Sequence, residues 1–558
     1  MIPDSTGTDT VPHTVFRFPG WLFGPTLLSL FLIWDLIDRR ISTRNKQKYR
    51  PFPLPTPSER KYHTSNVSIV IPTVDTDASF TTSLCGFLGN KPLEIIVVTI
   101  EGEKYRVQEL VHNATVQKFR SPQTAVKILT VPHANKRDQL VCGINASKGD
   151  IVALVDDDAF WSRENLLLTL LAPFQRDDVG LVGCAVTSYI PDHRKSSTAI
   201  TPWEVAAIRL RGTRHGSMKS AYATDGGINF CVSGVTMLVR GEILRDHEFQ
   251  DAFIHDLWMG KKQNSGDDTF VTRWVLFQHH RQNHRHRNNE LEQVQLNGEI
   301  TQCQHQGQLG DQSAIPKNNI NGLDSSSTGI SSPVSTAISG RKQWKLGMQL
   351  TPESEVGTSI MPDSRFAGQL KRWYRSGLRH RLMCLFYEPG AVAMFHTCPY
   401  MTRKMVEGML NPILLPLRMY ALYETCRVWP LLGFLVLIWK FTWYTHSLVN
   451  FVNEYPWASR YWWAAVLVDH LYLVSDWYCW MTLGTEAWMT RRKVDQDHQA
   501  PDPENDRNDG DHDEPHGEEY NSIAGLCVND PAASELDQSS GTRQQDWKTG
   551  LDLMTASA

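Results

Sequence analysis

The hydrophobic positions of this chain follow two patterns. Between residues 66 and 190, short apolar runs rich in Val and Ile recur: VSIVIPTV, LEIIVVTI, VKILTV, IVALV and VGLVGCAVTSY, each bounded by turn or charged residues. Continuous apolar runs this short predict parallel strands buried on both faces. Between them, KRDQLVCGINAS and SRENLLLTLLAPFQ predict helices, the second with Ser162 as N-cap. TPWEVAAIRLR opens with Thr201, Pro202 and Glu204, a capping box with proline at the first helical position. Alternating β and α elements predict an α/β fold over residues 61–278, an open sheet of the doubly wound type.

The second pattern is longer. WLFGPTLLSLFLIWDLI, VWPLLGFLVLIWKFTWYT and YWWAAVLVDHLYLVSDWYCWMTL are dense in apolar and aromatic residues. A bilayer span needs roughly 20 apolar residues, so transmembrane helices are expected at 16–38, 428–446 and 461–483, after an extension at 1–15. The first has no basic start and no small-residue cleavage site, and reads as an uncleaved anchor. Arg39, Arg40, Arg44, Lys46, Lys48 and Arg50 follow it and only Arg17 precedes it. The positive-inside rule then puts the central region in the cytosol. Residues 386–427 contain MLNPILLPLRMYALYETC, whose two prolines and Arg418 suit a kinked span or an interfacial segment. Residues 279–362 are rich in Gln, Asn, His, Ser and Gly and read as a disordered insertion; residues 491–558 read as an acidic disordered cytosolic tail.

Composition narrows the function. A chain of 558 residues exceeds one ordinary core. Its formal net charge of −4 gives no footprint for nucleic acid. Ten cysteines without a C-x-x-C pair indicate neither a disulfide framework nor a zinc site. HHRQNHRHR, at 279–287, has irregular spacing and arginines, and reads as a solvated loop rather than a metal site.

Three stretches carry candidate chemistry. The strand IVALV runs directly into Asp156, Asp157 and Asp158. Ligands of open α/β sheets bind beyond the carboxyl ends of strands, and hard oxygen ligands there suit Mg²⁺ or Mn²⁺ holding a diphosphate. Next, NSGDDTFVTRWVLFQ places Asp267 and Asp268 side by side at a helix start, where either acid could simply serve the helix N-terminus. Finally, QLKRWYRSGLR, in a helix expected over 363–385, holds Gln369, Arg372 and Trp373 as Q-x-x-R-W. Its basic residues suit lipid headgroups at a membrane interface. On one helix face, however, arginine also offers forked donors to phosphate, and tryptophan a flat surface to a sugar ring.

An Asp-x-Asp strand end, a later SGDD and Q-x-x-R-W, in that order and flanked by apolar helices, resemble the membrane-bound family 2 glycosyltransferases, which implies a GT-A fold: an open mixed sheet with a Rossmann-like nucleotide-binding half. The likeness extends to fungal type 2 glycosyltransferases and hyaluronan-synthase-like polysaccharide synthases, over residues 66–385 apart from the insertion. It implies an inverting hexosyltransferase that moves sugar from a UDP-sugar to a glycan feeding an extracellular or cell-wall polysaccharide. The enzyme would be multi-pass in the plasma membrane, among membrane lipids, its catalytic domain cytosolic and its oligomeric state open. Asp268 would be the catalytic base and Asp267 its neighbour. Asp156 and Asp158 would hold the metal. Thr73, Asp75, Glu101, Lys136, Arg137, Asp156, Gln369 and Arg372 would hold the nucleotide-sugar, and Cys231, Ser233, Gly234 and Trp373 the acceptor. Glu101 stands where many relatives carry Asp, which bears on the nucleotide base. A glycolipid transferase resembling ceramide glucosyltransferases shares these motifs. A non-catalytic membrane scaffold is a third reading, supported only by Glu101.

Overall fold

In the computed structural model, residues 20–228, 231–263, 265–278 and 343–485 are described. The five apolar runs form β1 (Val67–Pro72), β2 (Glu94–Ile100), β3 (Ala125–Val131), β4 (Ile151–Val155) and β6 (Val179–Tyr189); the two-residue β5 (Ala159–Phe160) follows β4. Every residue of β1 and β4 is buried. Both faces of the sheet are covered, which is why these strands show no polar alternation. β1 lies between β2 and β4, parallel to both, with β3 parallel on the outer side of β2.

The other half of the sheet is mixed. β7 (Thr236–Arg240) pairs antiparallel with both β4 and β6. β8 (Lys345–Gln349) and β9 (Glu355–Ser359) both pair with β6. The nine strands run β3-β2-β1-β4-β7-β6-β9-β5, with β8 also on β6. The expected open mixed α/β sheet is thus present.

β8 and β9 fall within the expected disordered insertion, and this corrects its boundary. Residues 279–342 lie outside the described residues, but from 343 the chain is built into the sheet. Leu346, Met348 and Leu350 alternate into the core, as does Val356. Five-residue strands containing glycine carry too little apolar signal to stand out, and pairing with β6 fixes them.

The longer helices are α1 (Gly20–Lys48), α2 (Lys136–Ala146), α3 (Pro202–Asp225), α4 (267–278), α5 (Arg365–Leu382), α6 (Pro399–Val428), α7 (Pro430–Glu454) and α8 (Trp462–Met481). The capping box that predicts α3 forms: the Thr201 N–H donates to Glu204 Oε2 at 2.9 Å, and the Glu204 N–H to Thr201 Oγ1 at 3.4 Å.

Among the described residues, no helix is long and apolar enough to cross a membrane, so the spans expected at 16–38, 428–446 and 461–483 are not supported. Ionised residues interrupt the apolar runs and pair between helices. Asp35 of α1 accepts from Arg418 of α6 at 2.8 Å and from Lys440 of α7 at 3.1 Å. Asp469 of α8 accepts from Arg209 of α3 at 2.9 Å and from the Tyr444 hydroxyl of α7 at 3.0 Å. The opposite faces stay apolar and open: Leu30 and Ile33 on α1, and Leu431, Phe434 and Phe441 on α7, are exposed. Residues 409–426 lie inside the continuous α6, with Pro412 and Pro416 both within it.

The helix expected at 363–385 forms as α5, but not all its cations reach outward. Arg375 and Arg379 are buried. Arg375 donates to the carbonyl of Thr485 at 3.2 Å, and Arg379 to that of Leu483 at 2.6 Å, tying α5 to the chain that leaves α8.

Candidate active site

The carboxyl ends of the adjacent strands β1 and β4 carry Thr73 and the three aspartates. Thr73 Oγ1 donates to Asp157 Oδ2 at 2.6 Å, so the middle aspartate locks the two strand ends together. All three line a cavity of about 280 Å³. Past β3, Asn135 caps α2 by accepting the Arg137 N–H at 2.9 Å, which starts the helix at the same edge of the sheet. Lys136 then projects inward. Its Nζ lies 2.8 Å from Asp156 Oδ1 and 2.8 Å from Asp267 Oδ2. Burial would pull this ammonium down, but the two carboxylates hold it well above the ordinary lysine range.

The Gly-Asp-Asp turn meets the aspartates of β4 through this lysine. Gly266 sits at φ 81°, and a Cβ there would come within 2.9 Å of Thr269 Oγ1, so glycine is required. α4 starts immediately after it, placing both acids in its first turn. Burial pushes Asp267 up, yet Lys136 and then Arg137 overcome it and hold the carboxyl below its usual range. Asp268 behaves oppositely. Burial, and then the charge of Asp267, push it up to about 6, against the pull of Lys136. Its Oδ2 accepts from the Cys231 thiol and from the Gly234 N–H, each at 3.3 Å, and its Oδ1 from the Thr269 N–H at 2.8 Å. Burial and Asp268 raise the Cys231 thiol, which keeps it a donor. The two neighbouring acids are therefore electrostatically distinct: one carboxyl is held down and the other pushed up.

α5 closes the cavity on a further side. Gln369, Arg372, Trp373, Ser376 and His380 recur at three- and four-residue spacing, and all line it. The buried Gln369 Oε1 has no hydrogen-bond partner, an acceptor available to a substrate hydroxyl. The Trp373 ring packs edge-on against Phe366, with centroids 6.3 Å apart. Opposite, α3 presents Arg211, Arg214, His215 and Met218. The guanidinium of Arg211 stacks 4.5 Å from the Trp373 centroid and that of Arg214 5.9 Å away. Burial, and then Arg214, pull Arg211 down to about 9, with Asp158 and Asp156 pulling back.

Of the residues singled out from sequence, Thr73, Lys136, Asp156, Asp158, Cys231, Ser233, Gly234, Asp267, Asp268, Gln369, Arg372 and Trp373 all line this one cavity. Three do not. Arg137 is fully buried on the other side of α2, donating to the Phe253 carbonyl at 2.6 Å and to Asp256 at 2.9 Å, and serves the core. Asp75 (φ 52°) and Glu101 follow β1 and β2 outside the cavity wall, and Glu101 is exposed beside Lys104 at 3.7 Å. Sequence reading missed Arg211, Arg214, His215, Ser376 and His380. The last two continue the Gln369-x-x-Arg372-Trp373 stripe by one and two turns, a signal that was present.

Among the described residues, no group of three or more His, Cys, Asp or Glu side chains is placed to hold a metal unaided. This donor set suits Mg²⁺ or Mn²⁺ shared with a substrate's phosphates, which needs only one or two protein carboxylates. Asp158 would hold it, with Asp156, and the ion would neutralise charge on a bound diphosphate.

Residues 64–282 match the family model described as glycosyltransferase-like family 2. The NDP-glycosyltransferase ltbB of Aspergillus luteorubrus is 29% identical over 467 residues, covering 83% of this chain and 97% of that protein. A type 2 glycosyltransferase of Zymoseptoria tritici is 26% identical over 343 residues, 61% of this chain and 55% of its own. Among solved structures, the mannosyltransferase PcManGT from Pyrobaculum calidifontis, in complex with GDP-Man and Mn²⁺, aligns over 82% of this chain and 99% of its own, at 12% identity and a TM-score of 0.44. Glucosyl-3-phosphoglycerate synthase from Mycobacterium tuberculosis, solved with Mn²⁺ and UDP, aligns over 33% of this chain and 60% of its own, at 16% identity and a TM-score of 0.20. The strand-end aspartates and the Gly-Asp-Asp turn both lie within the matched residues, and the chain carries a glycosyltransferase family 2 domain whose reaction is glycosyl transfer.

Proposed function

We propose that the enzyme transfers a sugar from a UDP-sugar to the hydroxyl of a growing glycan, with inversion at the anomeric carbon, at the face of a membrane. The observation that carries this reading is the convergence of Asp156 and Asp158, Asp268, and Arg372 with Trp373, from three distant stretches, on one cavity. Asp268 takes the proton of the acceptor hydroxyl as its oxygen bonds to the anomeric carbon. The bond to the diphosphate breaks, and its electron pair leaves with the nucleoside diphosphate. Arg372 meets that charge, and Trp373 and Gln369 seat the acceptor. Asp267 stays ionised on Lys136 and keeps Asp268 basic. The exposed apolar faces of α1 and α7 support an origin at a lipid surface, because large exposed apolar patches mark contact surfaces.

Radiolabelled UDP- and GDP-sugars, offered to membranes containing the protein with Mn²⁺ and followed by product sizing, test the whole reading. A UDP-sugar-dependent polymer is expected. A single sugar on an extractable lipid instead assigns the glycolipid transferase, and label transferred only from GDP-sugars overturns the choice of nucleotide.

The acid–base assignment has its own signature. The base must be ionised to accept a proton, and Asp268 titrates at about 6. Turnover should therefore rise with pH through that value and level off above it. Asp267→Asn removes the nearest negative charge, so the acidic limb should move to lower pH, while an unmoved limb would separate Asp268 from the rate.

A further inference from the structure

We propose that Arg211, on the cavity face of α3, is a further leaving-group residue of this reaction, binding the donor diphosphate in the cavity it shares with Asp158. The inference rests on the nucleotide-sugar reading above and names a residue that its three motifs do not contain.

Arg211 is only 7% exposed, yet its Nε has no hydrogen-bond partner. The Nε of Arg137 and of Arg375 is unpartnered too, but those guanidiniums bond acceptors through their other nitrogens. Arg209, two residues earlier on the same helix, is bonded to Asp469, and Arg137 to Asp256. Arg240 donates to the Val179 carbonyl at 2.7 Å. A guanidinium withdrawn from water without an acceptor is costly, and a fold keeps one where a ligand completes it.

Its surroundings indicate which ligand. Arg211 lines the same cavity as Asp158 and Asp156, the pair that would hold the metal, and feels the charge of both, so an anion bound there would meet both the metal and the guanidinium. Stacking on Trp373 at 4.5 Å holds the guanidinium plane and leaves its N–H edge for oxygens. A diphosphate has the oxygens and the charge for that edge. When the bond to the sugar breaks, its electron pair settles on the terminal phosphoryl oxygen, and a fixed cation there lowers the barrier without reorganising. Arg214, one turn on and 5.9 Å from the Trp373 centroid, instead feels Tyr374, and then Cys231 and Asp268, rather than the strand-end aspartates.

Calorimetric titration of the full-length protein with UDP, UMP, GDP and GMP at fixed Mn²⁺ tests this, using Arg211→Gln and Arg211→Lys. The lysine variant keeps a charge and loses the fork, and decides the matter if the glutamine variant does not fold. Diphosphate affinity should fall about tenfold or more and monophosphate affinity should hold, with turnover down about a hundredfold. An unchanged diphosphate-to-monophosphate ratio overturns the proposal, and so does an effect confined to the acceptor KM, which would place Arg211 on an acceptor anion. Wild-type protein that binds no nucleoside diphosphate overturns the nucleotide-sugar reading as well.

Discussion

Asp268→Asn should reduce glycosyl transfer by about two to four orders of magnitude, the usual contribution of a positioned general base. The substitution is nearly isosteric. The amide still offers an oxygen to the Gly234 N–H and the Cys231 thiol, which lie 3.3 Å from the carboxylate. The amide nitrogen cannot replace Oδ1 as acceptor of the Thr269 N–H at 2.8 Å, so that one contact is lost, while the other two and the ion pairs of Asp267 and Asp156 with Lys136 should hold. What is lost is the ability to accept a proton. Nucleoside diphosphate affinity should stay close to wild type, because the residues assigned to the diphosphate lie on β4, α3 and α5. Steady-state turnover with titration of the nucleotide separates the two quantities. Transfer at the wild-type rate would remove Asp268 from the chemistry. Loss of nucleotide binding together with turnover would show that the turn, and not the base, had been damaged.

Much of this site can be read from the chain, and where it cannot the reasons are physical. Three acids directly after a buried strand are legible because ionised groups there need a ligand or water. A glycine before two acids at a helix start is equally legible, although the same letters serve a plain helix cap. Lys136 and Arg137 look alike in sequence. Neighbours on a helix point about 100° apart, so one enters the cavity and the other faces Phe253, its guanidinium 4.9 Å from that ring centroid. Arg211 and Arg214 carry no motif in the sequence, and only the fold shows them beside Trp373. The apolar helices mislead for a related reason. Asp35 and Lys440 are 405 residues apart, and no local window shows that they pair. Five strands announce themselves by continuous Val and Ile, whereas β8 and β9 exist through their partner β6.

Lys136→Met should be the most destabilising change in the site. Removing one partner of a buried ion pair costs about 3–5 kcal/mol, because the other charge stays buried and uncompensated. Here one ammonium compensates two carboxylates, each 2.8 Å away. Without it, Asp156 and Asp267 face one another in a desolvated cavity, and both carboxyls must rise above their unfolded values. A carboxyl raised in the folded state costs nothing while protonated and opposes folding once pH exceeds its unfolded pKa. The deficit of Lys136→Met should therefore be largest at neutral pH and shrink on acidification through the carboxylate range. Adding Asp267→Asn removes half of the uncompensated charge and should restore part of the lost stability. Mn²⁺ should raise the melting temperature of Lys136→Met more than that of wild type, since the lost cation leaves carboxylates free to bind it. Chemical denaturation at pH 7 and pH 5, with and without the ion, measures each term. A variant as stable as wild type at neutral pH would mean that Lys136 does not hold the strand-end aspartates and the Gly-Asp-Asp turn together.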